Sequence, residues 1–140
     1  MKKLFLIFTV VLLFVFGKNG FGKASPEKNM DSLKVRIVDV KIDTGLYQPL
    51  LQKGESVTMR SGRIILKKGE SIGEHPTDNY EEFLIVLVGQ GVISSANGQR
   101  FPISEGQVVY IPPYSAHNIY NENSNKLIYI YVVAKAFDDK

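Results

Sequence analysis

The two histidines of this 140-residue chain, His75 and His117, are the residues best suited to chemistry. Imidazole is the commonest metal ligand among side chains, and it also works as a general acid or base near neutral pH. A lone histidine is more often a structural residue, so the residues spaced around each one decide its interpretation. The two patterns read Gly69-x5-His75-x-Thr77-x4-Glu82-x6-Gly89 and Gly106-x5-Pro112-x-Tyr114-x2-His117-x3-Asn121.

These spacings resemble the two conserved motifs of the cupin superfamily, which occur in this order. Two residues depart from the family pattern: Thr77 stands where a second histidine is usual, and Tyr114 replaces a glycine. The resemblance covers about residues 62–133 and accounts for both histidines. It implies a small one-domain jelly roll that wraps a metal site, with the motif glycines as turn formers.

The resemblance implies that His75, Glu82 and His117 are ligands of a divalent transition metal (Fe, Mn, Zn, Ni or Co), with no cofactor beyond the ion. Two imidazoles and one carboxylate suit all five ions, and the sequence does not choose among them. Family spacing selects Glu82 over Glu81, and in a strand these neighbours point to opposite faces. The neutral hydroxyl of Thr77 is a poor ligand for such ions, so we expect it to hydrogen-bond to a metal-bound water or to Glu82.

The expected function is that of an exported small cupin that binds the metal in its pocket and acts on, or senses, a small molecule. An alternative is a metal-free binding module for a sugar or another metabolite, without catalysis. A third interpretation is a structural domain whose motif residues only brace the barrel. No general acid or base outside the motifs can be assigned, so the sequence leaves open whether the protein is an enzyme. Small cupins often pair through their outer strands, which makes a homodimer an expected option.

The first residues are typical of a cleaved export signal. Lys2 and Lys3 precede the apolar run from Leu4 to Phe16, which is shorter than the ~20 residues that span a bilayer as a helix. Small residues follow at Gly20, Gly22 and Ala24, and cleavage is expected before Ser25 or two or four residues earlier. The expected division is therefore a signal peptide at 1–24, a flexible lead-in at 25–32 and a cupin domain at 33–140, located in the periplasm or outside the cell.

Charge and cysteine content exclude several classes of partner and linkage. The chain has 17 basic and 14 acidic residues, but residues 1–24 contain four lysines and no acid, which leaves 13 basic residues against 14. The mature part therefore lacks the basic excess that nucleic-acid binding requires, and we expect no nucleic-acid partner. We also expect no membrane association after processing. Because the chain has no cysteine, it has neither a disulfide nor a cysteine nucleophile.

The remainder reads as short strands with turn signals every eight to twelve residues, a pattern typical of an all-β sandwich or barrel. The resemblance narrows this to a double-stranded β-helix. The strongest local signal is Asn97-Gly98, which predicts a hairpin. The predicted strands are 33–39, 57–59, 64–66, 82–88, 92–96, 99–103, 108–111, 116–121 and 126–133, with Ser61-Gly62 as a turn between the second and third.

Overall fold

The computed structural model describes residues 33–137, which form nine strands and no helix. The predicted signal peptide at 1–24 and lead-in at 25–32 lie outside these residues. Within the described range no helix is long and apolar enough to cross a membrane. The strands are β1 Tyr47–Leu51, β2 Met59–Lys67, β3 His75–Pro76, β4 Tyr80–Val88, β5 Gln90–Ser95, β6 Arg100–Ser104, β7 Val108–Ile111, β8 Ala116–Tyr120 and β9 Lys126–Lys135.

The strands form two antiparallel sheets that face each other. The five-stranded sheet has the order β1-β2-β9-β4-β7, and the four-stranded sheet has the order β3-β8-β5-β6. Neighbours in a sheet are mostly distant in sequence, as in a jelly roll. The prediction of an all-β double-stranded β-helix is therefore confirmed.

The core lies between the sheets and follows the period of two that strands impose. Leu84 of β4 is fully buried and pairs with Tyr131 of β9 and Val109 of β7. Cross-strand partners share a face, so all three side chains point to the interior. The other buried members of this cluster are Ile64, Leu66, Val86, Ile93, Ile103, Ile111, Ile119, Leu127 and Tyr129.

The prediction of a strand over residues 33–39 is wrong. The segment has no strand partner, and Val35 and Ile37 are 98% and 94% exposed. The edge of the five-stranded sheet is instead taken by β1, which the sequence pattern did not reveal. Pro49 lies in this strand, and an edge strand tolerates proline because one side of its backbone needs no partner.

The predicted turn at Ser61-Gly62 is also wrong, because β2 runs through both residues. Gly62 marks a close approach of side chains. A Cβ placed there would lie 2.6 Å from a ring carbon of Tyr47 and 2.8 Å from a ring carbon of Tyr131. By contrast, the Asn97-Gly98 hairpin is confirmed between β5 and β6, and Gly98 has the positive φ of 82° that glycine permits.

Candidate metal centre

His75 and His117 face each other across the β3–β8 pair. They are directly opposite in the register, and their ring centroids are 4.4 Å apart. His117 also pairs with Ser95 of β5, in the same register that places Ile93 opposite the core residue Ile119. The two imidazoles therefore belong to the interior face of the four-stranded sheet.

Glu82 reaches the two histidines from the opposite sheet. It pairs with Ile111 and Val133, and it lies two residues before Leu84 on the interior face of β4. One carboxylate oxygen, Oε2, lies 3.3 Å from Nε2 of His117 and 4.0 Å from Nε2 of His75. The three residues thus place one donor atom each within 4.8 Å of one another.

The neighbouring carboxylate, Glu81, belongs to the other face of β4. It accepts a hydrogen bond of 3.1 Å from the hydroxyl of Tyr110, which raises the pKa of that phenol. The structure therefore brings together the three residues that the sequence selected, and it places Glu81 away from them.

Backbone carbonyls orient both imidazoles. Nδ1 of His75 lies 2.9 Å from the carbonyl oxygen of Gly73, and Nδ1 of His117 lies 3.3 Å from that of Ser115. A carbonyl only accepts, so a neutral ring that makes this bond carries its proton on Nδ1 and its lone pair on Nε2. Each ring thereby directs an acceptor nitrogen toward Glu82.

One of these nitrogens is an exception to the usual pairing of buried polar atoms. His117 is 2% exposed, and its Nε2 has no hydrogen-bond partner among the described residues. The nearby oxygen of Glu82 is itself an acceptor when ionised, so it cannot supply a proton to that lone pair. A divalent cation would satisfy both atoms at once, and the donor set therefore fits a metal ion.

Two tyrosines whose phenols feel the charge of Glu82, Tyr129 and Tyr131, stay neutral. Burial raises the pKa of Tyr129 well above its usual range, and the charge of Glu82 adds to that effect. Burial likewise raises the pKa of Tyr131, together with its hydrogen bond to the hydroxyl of Tyr47. Glu82 is the single carboxylate of the three-residue cluster.

Thr77 holds the corner of the chain that leads into β8. Its hydroxyl donates to the carbonyl oxygen of Pro112 at 2.9 Å and accepts from the backbone N–H of Ser115 at 2.9 Å. With its proton given to Pro112, the hydroxyl does not donate to Glu82 in this arrangement. One lone pair remains, so a bond from a metal-bound water stays a prediction.

The same corner contains two residues with positive φ that are not glycine. Asp78 has φ 50° and Tyr114 has φ 58°, and the N–H of Tyr114 donates to the carbonyl oxygen of Asp78 at 2.7 Å. Tyr114 occupies the place where the cupin motif has glycine, and the backbone keeps the left-handed conformation that glycine favours. Asp78 carries no signal in the sequence, because its conformation depends on this long-range contact.

Asn121, the last residue of the second motif, is structural. Its amide donates to the carbonyl oxygens of Leu66 and Ser124, and its side-chain oxygen accepts from the N–H of Ser124. Its backbone carbonyl oxygen accepts from the N–H of Gly69, and its backbone N–H donates to the carbonyl oxygen of Glu70. Asn121 therefore fixes the turn at the end of β8.

The cupin resemblance implied a pocket, and the structure has a cavity that extends to His117. It has a volume of about 540 Å³ and lies between β6 and β7, the edge strands of the two sheets. The sequence alone did not give most of its lining, because the lining comes from strands of both sheets. Its lining includes Ile93, Ser95, Phe101, Ile103, Gln107, Val109, Ile111, Ser115 and His117.

A two-sheet jelly roll with two histidines and one carboxylate on its facing inner surfaces belongs to a class of small β-barrels that could hold a metal ion between their sheets. Comparison with known families agrees with that class. The cupin domain model matches residues 62–133, and the chain belongs to the cupin family.

One curated relative, the oxalate-binding protein of Thermotoga maritima, is 31% identical over 71 residues. The match covers 51% of this chain and 58% of the relative, so the chain spans well under two thirds of that protein's length.

Solved structures show the same fold. An RmlC-like cupin family protein from Methanocaldococcus jannaschii superposes with a TM-score of 0.61 at 22% identity, covering 73% of this chain and 92% of that one. A predicted oxalate decarboxylase from Thermotoga maritima gives 0.59 at 28% identity, with coverage of 64% and 78%. A cupin 2 conserved barrel domain protein from Salinispora arenicola gives 0.58 at 25% identity, with coverage of 75% and 91%.

Proposed function

We propose that this cupin binds a divalent transition metal through His75, Glu82 and His117 and uses it to hold a small molecule in the adjoining cavity. The observation that carries the proposal is the buried Nε2 of His117, which has no hydrogen-bond partner among the described residues and lies 3.3 Å from Glu82. Such an arrangement is unfavourable in itself because two acceptors face each other out of water. A cation between them removes the conflict.

The donor set suits Fe, Mn, Zn, Ni or Co, and when bound, such an ion supplies Lewis acidity and open positions for ligand oxygens. The residues of the chain do the rest. The carbonyls of Gly73 and Ser115 fix the two rings, and the hydroxyl of Thr77 fixes the corner that leads to His117.

The names of the relatives support a small-molecule ligand. One relative is an oxalate-binding protein and a structural neighbour is a predicted oxalate decarboxylase, so binding and catalysis both occur among the names. We propose ligand binding as the function of this chain. A metal-free binding module is the second candidate, because Thr77 stands where the family usually has a fourth ligand and is engaged with Pro112 and Ser115.

The neighbouring carboxylates of β4 give a matched test. Glu82→Gln removes a charged donor from the cluster, whereas Glu81→Gln changes a carboxylate on the opposite face. Titration with Zn(II) against a competing chelator should show at least a ~10-fold loss of affinity for Glu82→Gln, since even outer-shell changes at metal sites cost that much. Glu81→Gln should bind like the wild type.

Circular dichroism of both variants controls for folding. Equal zinc affinities of the two variants, or wild-type affinity weaker than about millimolar, would contradict the metal proposal and favour the metal-free module. The same titration of His117→Ala gives a second check, because that variant removes the nitrogen on which the argument rests.

We also propose that the protein is exported, on the strength of the charged and apolar residues at its start. Intact mass of the protein recovered outside the cytoplasm should correspond to a first residue near Ser25. A product that retains Leu4 to Phe16 and partitions with membranes would reverse this proposal.

A homodimer is proposed on the basis of apolar residues that the described chain leaves in solvent. Val35 and Ile37 are almost fully exposed, and Val57 is 76% exposed. Pairing of two copies would cover such residues. Light scattering on the eluted protein should give twice the monomer mass, and a monomer at micromolar concentration would contradict it.

A further inference from the structure

The cavity beside His117 has walls of a composition that narrows the class of ligand. Ile93, Phe101, Ile103 and Val109 supply apolar wall, and Ser95 and Gln107 supply neutral polar groups. Among the described residues that line the cavity there is no Asp, Glu, Lys or Arg. The part of a ligand that lies beyond the metal therefore meets a mainly apolar surface.

The distance along the wall indicates how long that part of the ligand is. His117 pairs with Ser95, and Ile93, two residues earlier on the same face, pairs with Phe101. Phe101 is thus two strands away from His117 and two residues further along on the interior face, which corresponds to roughly 12 Å at the usual strand geometry. A ligand whose head lies at the metal can therefore lay a body of about one ring against Phe101.

The charge of the site limits the charge of the ligand. A divalent ion with the carboxylate of Glu82 carries one net positive charge, which a single negative charge on the ligand would neutralise. A second negative charge would meet no Lys or Arg among the described residues that line the cavity. Arg60, on the interior face of β2, is not among the lining residues, and its guanidinium lies 4.9 Å from the ring centroid of Tyr80.

We infer, on the basis of the proposed metal site, that the ligand is an oxygen chelator with one negative charge and an apolar body about the size of one ring. This class differs from oxalate, which carries two negative charges and has no apolar body. Chelating oxygens would occupy the positions that the three protein donors leave open. The apolar body would replace water against Phe101 and the isoleucines of the wall.

Pyruvate and phenylpyruvate distinguish the contribution of the apolar body from that of the chelating oxygens. Both have the same carboxylate and keto oxygens and the same charge, and only phenylpyruvate has a ring. Calorimetric titration of the zinc-loaded full chain should show phenylpyruvate binding at least ~10-fold more tightly, since only the ring is added. Oxalate at equal concentration should displace less than half of the bound phenylpyruvate, with retained zinc measured in the same samples.

Two phenylalanines provide the matched variants. Phe101 is 48% exposed and lines the cavity, whereas Phe83 is similarly exposed on the outer face of the other sheet. Phe101→Ala should lower phenylpyruvate affinity about fivefold or more, in line with the usual contribution of an aromatic pair. It should leave zinc and pyruvate affinities unchanged, and Phe83→Ala should leave all three unchanged.

The outcomes separate the two proposals. If zinc binds through the three donors but pyruvate equals phenylpyruvate, or oxalate displaces phenylpyruvate, the inference about the ligand is overturned and the metal site stands. An equal response of Phe101→Ala and Phe83→Ala overturns it too. If the full chain binds no zinc, or if Glu82→Gln binds zinc as well as the wild type does, the proposed function is overturned. The inference about the chelating ligand is then overturned with it.

Discussion

His117 and Asn121 lie four residues apart, near the two ends of β8, but their buried polar side-chain atoms differ in hydrogen bonding. Asn121 is fully buried and makes three side-chain hydrogen bonds, to Leu66 and Ser124. His117 is nearly as buried, and its Nε2 has no hydrogen-bond partner among the described residues. The first arrangement stabilises a turn, whereas the second leaves a buried lone pair that the proposed metal site would use.

The packing around the two residues differs as well. Beside Asn121 the backbone is tightly packed: a Cβ on Gly91 would lie 2.6 Å from the carbonyl oxygen of Tyr120. Near His117 the sheets separate into a cavity, and the corner at Tyr114 has a strained backbone. Motif residues at one end therefore hold the fold, and motif residues at the other end are available for binding.

The most disruptive change to this arrangement is a charge in the shared core. Leu84→Asp should leave the chain unfolded, because a desolvated carboxylate without a partner costs several kcal/mol and a domain is stable by only about 5–15 kcal/mol. Phe83→Asp is the control, since Phe83 belongs to the outer face of β4 and should leave a folded protein. Circular dichroism and urea titration measure the folding of both variants. A Leu84→Asp variant that still unfolds cooperatively would contradict the close packing of the core around Leu84.

A smaller loss is expected where the backbone is tightest. Gly89→Ala must move the carbonyl of Lys126 and also forces alanine to adopt a φ of 83°, so a loss of about 3 kcal/mol or more is expected. Gly106 has a similar φ of 82°, but nothing lies within 4 Å of its added Cβ. Gly106→Ala should therefore lose only the ~1–2 kcal/mol of the left-handed conformation. Equal losses in urea titration would mean that the contact at Lys126 relaxes freely.

The fold class and the grouping of three candidate ligands were predictable from the sequence. His75, Glu82 and His117 were recognisable because their spacing resembles the two cupin motifs, and the structure places one donor atom of each within 4.8 Å of the others. The partners of Thr77 and the conformation of Asp78 were not, since both depend on contacts with the corner at 112–115, more than thirty residues away. The strand predicted at 33–39 failed because an alternating pattern reveals a face and not a partner.

Direct comparison of His117 and Asn121 gives the next prediction. In metal-free protein, Asn121→Ala should lower the free energy of unfolding by at least about 1 kcal/mol more than His117→Ala, because three hydrogen bonds are lost in one case. His117→Ala loses ring packing and the one long hydrogen bond to Ser115, but it also removes an unpartnered nitrogen beside Glu82.

Zinc should sharpen that difference. A bound ion stabilises only proteins that retain the donor, by an amount that grows with its concentration above Kd. In saturating zinc, the gap between wild type and His117→Ala should widen, whereas the gap between wild type and Asn121→Ala should stay constant. Urea titrations with and without zinc measure both gaps, and parallel behaviour of the two variants would contradict the distinction between the two ends.

The smallest effect is expected at Tyr114, where strain and contact oppose each other. Glycine at this position would relieve a left-handed conformation worth about 1–2 kcal/mol, but it would lose the stacking on Phe137 and increase the entropy of the unfolded chain. Tyr114→Gly should therefore change the free energy of unfolding by less than about 1 kcal/mol. Tyr114→Ala keeps the strain and loses the stacking, so it should be less stable than Tyr114→Gly. Thermal or urea unfolding of the pair decides the point: an alanine variant as stable as the glycine variant would mean that the φ of 58° is not imposed by the corner. Zinc affinity should be the same in both variants, because the carbonyl that orients His117 belongs to Ser115.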